Sequence, residues 1–228
     1  MALIAPSLLA ADFARLGEAL QMIKEAGASM VHVDVMDGHF VPGISVGQPV
    51  VKCLRKATDL ALDIHLLIER PERYVGEFLA AGADRVSVHL EATQHLPRLL
   101  ELIRARRARA GVALNPATPV NAASEVLGDI DFLTLMASEP LLNAPHADYR
   151  PQTMTKLRQA AQIREAGRHN FALQVEGGGI NEHLEELIQA GADILVVGSD
   201  IFQKDGKAGL GGMIRHAASS PQVYRVGI

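Results

Sequence analysis

Residues 31–42 hold the stretch of sequence with the clearest chemical potential, because polar and apolar side chains alternate there. His32, Asp34 and Met36 occupy every second position, and valines fill the positions between them. A period of two in a β-branched run predicts a strand whose alternate side chains share one face. Burial of both faces would place an imidazole and a carboxylate in the interior, which is costly without compensation. A divalent cation compensates both groups, although the pattern alone is also typical of a core histidine beside a hydrogen-bonded aspartate.

Two more ligand-type side chains stand at the ends of other apolar runs. His65 lies near the end of residues 61–66, and Glu176 closes residues 171–176. If these strand ends meet the first one, two imidazoles and two carboxylates form a four-ligand site with room for a substrate oxygen or a water. That set suits zinc, iron(II), manganese or a similar cation. The alternative interpretation is a structural polar network without an ion.

Glycine-rich turns form a second candidate site. Gly177 and Gly178 follow one predicted strand, and Gly198 and Ser199 follow the next. Glycines allow backbone N–H groups to approach an anion closely, and a following helix adds partial positive charge. A glycine run by itself is more often a tight turn, but its occurrence at both positions predicts the binding of a phosphorylated substrate.

The elements that must position these residues alternate between helix and strand. Gly27, Gly82 and Gly191 each end an amphipathic run and precede an apolar one, which is typical of a left-handed helix stop. About eight units of a strand followed by a helix, joined by short connections, predict parallel strands and right-handed crossovers. We therefore expect an α/β fold with a single (β/α)8 TIM barrel domain over residues 1–228, with no clear signal after about residue 219. The alternative is a doubly wound open sheet, but no Gly-x-Gly-x-x-Gly motif follows the first strand.

Apolar runs and helical periodicity set the predicted element bounds. The predicted strands are 3–8, 31–36, 61–66, 84–89, 111–115, 131–136, 171–176 and 193–197. The predicted helices are 13–23 with Asp12 as N-cap, 50–56, 71–81, 94–107, 119–127, 152–166 and 181–190. Residues 137–151 are predicted to form a functional loop or lid. Because the carboxyl ends of barrel strands form the active face, the four candidate ligands should converge there.

Composition narrows the class of partner. The chain has a net charge of −4, which argues against nucleic acid as a partner, and 48% apolar residues with 21% charged residues. Its one cysteine, Cys53, is compatible with a reducing compartment. No apolar run approaches the ~20 residues of a membrane span, so we expect no membrane partner. A cytoplasmic enzyme with a small-molecule substrate is the expectation.

Four motifs together resemble the ribulose-phosphate 3-epimerase family. They lie at residues 4–13, 32–42, 63–66 and 115–119, and the resemblance runs from about residue 3 to residue 202. It implies a metal-dependent (β/α)8 enzyme that inverts C3 of a ketopentose phosphate and interconverts D-ribulose 5-phosphate and D-xylulose 5-phosphate. A metal on the C2 and C3 oxygens would stabilise the enediolate formed when the weakly acidic C3 proton is removed.

The resemblance also implies a role for individual residues. Asp34 and Glu176 would take and give the proton on opposite faces of C3, while also binding the metal. Ser7 would hydrogen-bond a substrate hydroxyl. Met36 and Met136 would lie against the reacting carbons, although both are equally consistent with ordinary core filling.

Further implications concern the third strand end and the assembly. His65 is expected to contact the substrate as well as the metal. The family resemblance implies a homo-oligomer, but no stripe of residues in this sequence indicates the surface involved.

The chain departs from the family pattern in three places. Glu176 stands where the family has an aspartate, Leu67 replaces a methionine, and residues 136–145 lack the glycines of the family's phosphate loop. The extra methylene of Glu176 displaces the carboxylate by about 1.5 Å, so a change to aspartate is hypothesised to restore the family geometry. These departures leave two alternatives open: an epimerase or isomerase of a different ketose or ketose phosphate, and a weakly active or inactive paralogue that binds metal and ligand.

Overall fold

The structure is a computed structural model that describes residues 1–140, 149–202 and 206–220. In these residues eight parallel strands form a nearly closed barrel in which each strand pairs with its neighbours in chain order. β1 and β8 pair in register, and a bridge between Ser7 and His32 joins β1 to β2. The strands are β1 Leu3–Pro6, β2 Met30–Met36, β3 Ala61–Leu67, β4 Arg85–His89, β5 Arg109–Leu114, β6 Phe132–Met136, β7 Ala172–Glu176 and β8 Ile194–Val197. The prediction of a (β/α)8 TIM barrel is confirmed.

Helices alternate with the strands and cover the outside of the barrel. The α-helices of the described part are α1 Leu16–Glu25, α2 Gln48–Ala57, α3 Val75–Ala81, α4 Leu96–Ala105, α5 Gln152–Ala166, α6 Leu184–Gln189 and α7 Gly206–Ser219. A 3-10 helix, Val120–Val126, spans the connection between β5 and β6, where the sequence predicted a short helix. None of the helices in the described ranges is long and apolar enough to cross a membrane.

Strand alternation divides the core into an outer and an inner part. The valines of β2 point outward and join the large hydrophobic cluster between the strands and the helices. The inward-facing side chains at the amino end of the barrel are apolar and form a separate small cluster. That cluster contains Ala5, Met30, Phe132, Ala172, Ile194 and Val196. Above it the interior becomes polar, and this change along the barrel axis is what creates a site at the carboxyl ends of the strands.

The predicted glycine stops are confirmed by the backbone angles. Gly27, Gly82 and Gly191 have φ values of 94°, 109° and 111°, in the left-handed region that glycine adopts without strain. Each lies just after a helix and shortly before a strand. The tight reversal keeps the connections short, so that the strand order follows the order of the chain.

Two local predictions need correction. Asp12 does not cap α1: its carboxylate accepts from the N–H of Ala14 and caps a 3-10 turn, Phe13–Arg15, and the α-helix begins at Leu16. Phe13, predicted to belong to the apolar face of this helix, is 42% exposed. The helix α7 was not predicted, because three glycines at 209, 211 and 212 obscure its apolar periodicity.

Part of the predicted lid lies outside the described residues. The structure does not describe residues 141–148 of this loop. Two other predictions also concern undescribed parts of the chain, namely the side chain of Ser199 and residues 221–228 of the tail. The two ends of the loop are described, and the N–H of Arg150 donates to the carbonyl of Ala137 at 2.8 Å. The loop therefore begins and ends at adjacent points above β6.

We predict that Gly111→Ala destabilises the barrel. Gly111 lies on the inner face of β5, and a Cβ there would stand 2.3 Å from the fully buried ring of Phe132. Relief of this overlap requires a shift in a packed interior, so the free energy of unfolding should fall by about 1–3 kcal/mol in urea denaturation. The matched control is Gly76→Ala in α3, where a Cβ meets nothing within 4 Å and stability should stay equal or rise. Equal stability of the two variants would contradict the packing described for the inner face.

Candidate active site

Four side chains from three strands meet at the carboxyl end of the barrel. His32 and Asp34 lie on β2, His65 on β3 and Glu176 at the end of β7. Asp34 and His65 are register partners on neighbouring strands. One ligand atom from each of the four residues lies within 4.8 Å of the others, and all four residues are buried. The structure thus brings together the four side chains that the sequence predicted as candidate ligands.

The nitrogen and oxygen atoms of this cluster face one another at short range. His32 Nε2 lies 3.2 Å from Asp34 Oδ1 and 3.2 Å from Glu176 Oε2. His65 Nδ1 lies 3.0 Å from Glu176 Oε2 and 3.5 Å from Asp34 Oδ1. Despite these distances, Glu176 Oε2 has no hydrogen bond of acceptable geometry within the described part of the chain. A buried carboxylate oxygen in that state fits a metal ligand, since a cation among the four atoms would satisfy it.

The charges of the cluster are strongly coupled. Burial opposes protonation of both imidazoles, but the carboxylates of Glu176 and Asp34 outweigh it, raising the pKa of His65 to about 9 and that of His32 well above its usual range. Burial likewise opposes ionisation of Asp34, but the imidazoles keep its pKa well below the usual range. Without a metal, protons on the histidines supply the positive charge that the carboxylates need. A divalent cation would replace those protons, since metal ligation requires deprotonated imidazoles.

Ser7 contacts the cluster through Asp34. Its hydroxyl donates to Asp34 Oδ2 at 2.7 Å and accepts from the N–H of Leu9 at 3.2 Å. This leaves Asp34 Oδ1 as the oxygen that faces the imidazoles. The structure therefore places Ser7 at the site, with its hydroxyl hydrogen directed to a carboxylate.

The two predicted methionines lie beside the cluster. Met36 is the last residue of β2 and packs in a small apolar group with Val41 and Leu67. Met136 ends β6, is buried and is the register partner of Glu176. Both methionines stand at the carboxyl ends of their strands, where an apolar wall would border a substrate.

The glycine turn after β7 packs tightly against the loop after β6. Gly177 has a φ of 131°, and a Cβ there would stand 2.7 Å from Ser138 Oγ. The N–H of Gly178 donates to the same Ser138 Oγ at 2.9 Å. One of the amides predicted to bind an anion thus has a partner within the protein.

The far end of the same turn contacts the end of the predicted lid. A Cβ on Gly179, whose φ is 75°, would stand 2.6 Å from Tyr149 Cβ. The ring of Tyr149 stacks on His183 with centroids 4.3 Å apart. On the neighbouring strand, Gly198 follows β8 directly and its carbonyl accepts from the N–H of Ile201. The two glycine turns therefore lie after β7 and β8, as predicted.

Sequence reasoning missed several polar residues that surround the cluster. His89, at the end of β4, stacks on His65 with centroids 5.0 Å apart and an interplanar angle of 16°. Its Nδ1 lies 3.2 Å from Glu91 Oε2, and burial keeps the pKa of His89 below its usual value. Asp63, two positions before His65, lies 2.8 Å from His32 Nδ1. The signal for both was available in the two-residue period of a strand. Asp63 lies one period before His65, and His89 lies two periods after Arg85, so each shares a strand face with another polar residue.

The sequence of the whole chain agrees with this geometry. Residues 3–202 match the Ribulose-phosphate 3 epimerase family. The chain belongs to this family. It is 42% identical over 206 residues to the ribulose-phosphate 3-epimerase of Bacillus subtilis, covering 90% of this chain and 94% of that protein. It is 40% identical over 203 residues to that of Escherichia coli K12, covering 89% of each. The protein is therefore an enzyme of the isomerase class with epimerase function.

More distant solved structures share the fold of this epimerase. A mutant tryptophan synthase alpha-subunit from Pyrococcus furiosus aligns with a TM-score of 0.63 at 18% identity, covering 94% of this chain and 95% of that one. Thiamine phosphate pyrophosphorylase from the same organism aligns with a TM-score of 0.65 at 18% identity, covering 95% and 96%. At this level of identity the likeness establishes the barrel architecture alone.

We predict that Glu91 stabilises the active face of the epimerase in a pH-dependent way. Burial alone would raise its pKa, but hydrogen bonds from His89, Thr118 and the N–H of Asn115 lower it to about 2 from an ordinary value of 4.5. Because the folded pKa is the lower one, the stabilisation is present above pH 4.5 and is lost as the pH falls toward 2. Because Glu91 is partly exposed, solvent screens part of this effect, and Glu91→Gln should lower the free energy of unfolding by about 1 kcal/mol at pH 7.

Urea denaturation at pH 7 and pH 3 measures this difference, which should shrink at the lower pH. The matched control is Glu101→Gln, which makes the same change at an exposed position of α4. Its effect should stay within about 0.5 kcal/mol at both pH values. A Glu91→Gln effect that is independent of pH would contradict the assigned role of the carboxylate.

Proposed function

We propose that this epimerase is metal-dependent and inverts C3 of a ketose phosphate, with D-ribulose 5-phosphate and D-xylulose 5-phosphate as the default pair. The observation that carries the proposal is the cluster of His32, Asp34, His65 and Glu176, whose ligand atoms lie within 4.8 Å of one another. The names of the similar proteins from B. subtilis and E. coli support the same reaction.

The donor set fits a divalent cation such as zinc, iron(II) or manganese. Two imidazole nitrogens and two carboxylate oxygens are ligands that these ions accept, and Glu176 Oε2 is a buried oxygen suited to one of them. When bound, the cation supplies Lewis-acid stabilisation of negative charge on the substrate oxygens at C2 and C3. Without such stabilisation the C3 proton is too weakly acidic to be removed at neutral pH.

Two carboxylates of this chain would move the proton. Epimerisation requires one group to remove the C3 proton and another to return a proton to the opposite face. Asp34 on β2 and Glu176 on β7 suit these roles, because their strands are three apart around the ring and each carboxylate lies within 3.5 Å of both imidazoles. The Ser7 hydroxyl orients Asp34 by holding its Oδ2 at 2.7 Å.

The remaining predicted residues would bind the substrate around these groups. Met36 and Met136 would border the reacting carbons and exclude water, and His65 and Ser7 would contact substrate oxygens. The phosphate would lie at the glycine turns after β7 and β8, formed by Gly177, Gly178, Gly198 and Ser199. A homo-oligomeric assembly and a cytoplasmic location complete the proposal.

Two observations favour a second candidate, the epimerisation of a different ketose or ketose phosphate. The N–H of Gly178 already donates to Ser138 Oγ, and residues 136–145 lack the family's loop glycines. Both features reduce the number of groups available to bind a phosphate at this position. The binding of a substrate without a phosphate at its distal end would depend less on these groups.

Solvent exchange tests the reaction directly. The protein is incubated in D2O with a panel of phosphorylated and free ketoses, and deuterium at C3 is followed by NMR, while elemental analysis identifies the bound metal. We expect exchange with D-ribulose 5-phosphate and its loss after chelation. Exchange with another ketose alone favours the second candidate. No exchange across the panel with metal bound would indicate a binding paralogue and contradict the proposal.

We predict that Glu176→Asp lowers activity. In the structure the longer glutamate already reaches 3.0 Å from His65 and 3.2 Å from His32, so loss of one methylene would withdraw the carboxylate by about 1.5 Å. The expected loss in kcat/KM is about 10²-fold, together with weaker metal binding. The matched control, Glu182→Asp, makes the same change at an exposed position and should leave both quantities unchanged. A gain in activity would instead support the hypothesis that aspartate restores the family geometry.

A further inference from the structure

Below the ligand cluster, the interior of the barrel contains a second layer of polar residues. His32, Asp63 and Arg85 are neighbours in register on β2, β3 and β4, and Gln174 reaches the same layer from β7. His32, Asp63 and Gln174 are completely buried, and Arg85 is 7% exposed. A buried guanidinium and carboxylate are costly to place there, so their arrangement requires an explanation.

Three hydrogen bonds of this layer meet at the Asp63 carboxylate. Asp63 Oδ2 lies 2.8 Å from His32 Nδ1, and Gln174 Nε2 donates to the same oxygen at 3.2 Å. Asp63 Oδ1 accepts from Arg85 Nε at 3.0 Å. Since both oxygens are engaged, the plane of the carboxylate is fixed.

Arg85 also controls the orientation of Gln174. One of its terminal nitrogens donates to Gln174 Oε1 at 3.1 Å, which turns the amide nitrogen of Gln174 toward Asp63. The guanidinium lies over the ring of Phe132, with its central carbon 4.0 Å from the ring centroid. The ring of Phe132 in turn fills the space left by Gly111. Arg85 therefore packs on Phe132 on one side and donates hydrogen bonds to Asp63 and Gln174 on the other.

We propose that Arg85 and Gln174 are positioning residues that act on the metal centre through Asp63 and His32. By fixing the Asp63 carboxylate, they keep a proton on His32 Nδ1 and direct His32 Nε2 toward Asp34 and Glu176. Hydrogen bonding to the second nitrogen of a ligating histidine sets its orientation and its basicity. This inference rests on the proposed metal centre, since its purpose is to present one nitrogen to a cation.

A purely structural ion pair would make a different prediction. In that case loss of Arg85 would destabilise the fold and leave the affinity of the site per folded molecule unchanged. The chain offers a matched control in Arg164 and Asp193, a buried ion pair at the amino end of β8. Disruption of that pair should lower the free energy of unfolding and leave the metal affinity of the cluster unchanged.

The test measures zinc affinity and the exchange of the His32 Nδ1 proton in three variants of the full chain. Arg85→Met removes the guanidinium, Gln174→Leu removes the amide without changing a charge, and Arg164→Met is the control. Zinc affinity is determined by competition with a chelator, and proton exchange by NMR of 15N-histidine-labelled, metal-free protein. We expect Arg85→Met to lower affinity by about 10- to 100-fold and Gln174→Leu by less. Both should accelerate exchange of the Nδ1 proton beyond the Arg164→Met control.

The outcomes separate the inference from the proposed function. If the unmodified protein binds zinc and the Arg85 and Gln174 variants match the control in both measurements, the positioning role is wrong and the metal centre stands. If the unmodified protein binds neither zinc nor another divalent cation, the proposed metal centre is wrong. The exchange of the Nδ1 proton still decides whether Arg85 holds His32. Should Arg85→Met fail to fold, Gln174→Leu gives the same decision.

Discussion

Two carboxylates that face each other inside a protein require positive charge between them. In this barrel Asp34 and Glu176 meet at the carboxyl ends of the strands, where each lies within 3.5 Å of the imidazoles of His32 and His65. Protons can supply the charge, as the raised pKa of His65 at about 9 indicates, and a divalent cation can supply more of it. The rest of the interior keeps these four groups buried and oriented.

The side chains inside the barrel change from apolar to polar along its axis. Apolar side chains such as Phe132 and Ile194 close the amino end, a layer around Asp63 and Arg85 follows, and the ligand cluster lies above it. Each layer supports the next through direct contact. Other hydrogen bonds fix the loops at the carboxyl end. Glu91, for example, accepts hydrogen bonds from residues 115 and 118. A ligand cluster built in this way inherits the rigidity of the strands.

The barrel and the four clustered side chains could be predicted because they depend on local periodicity. His32 and Asp34 alternate with valines, and the glycine stops mark the ends of the helices. The contacts within the second layer of polar residues could not be predicted in the same way, because the hydrogen bond from Gln174 to Asp63 depends on the curvature that brings β7 across from β3. The bond between Gly178 and Ser138 likewise depends on how two loops pack. Periodicity identifies the face of a strand, whereas closure of the barrel decides which faces meet.

The ligands can be identified by X-ray absorption spectroscopy at the edge of the metal that co-purifies with the protein. Binding by the four side chains requires nitrogen and oxygen neighbours at about 2.0–2.2 Å, with the outer-shell scattering of two imidazole rings. Replacement of His65 by alanine should remove the signal of one ring. A metal surrounded by oxygen or sulfur alone, without imidazole scattering, would contradict the assignment of the four side chains as its ligands.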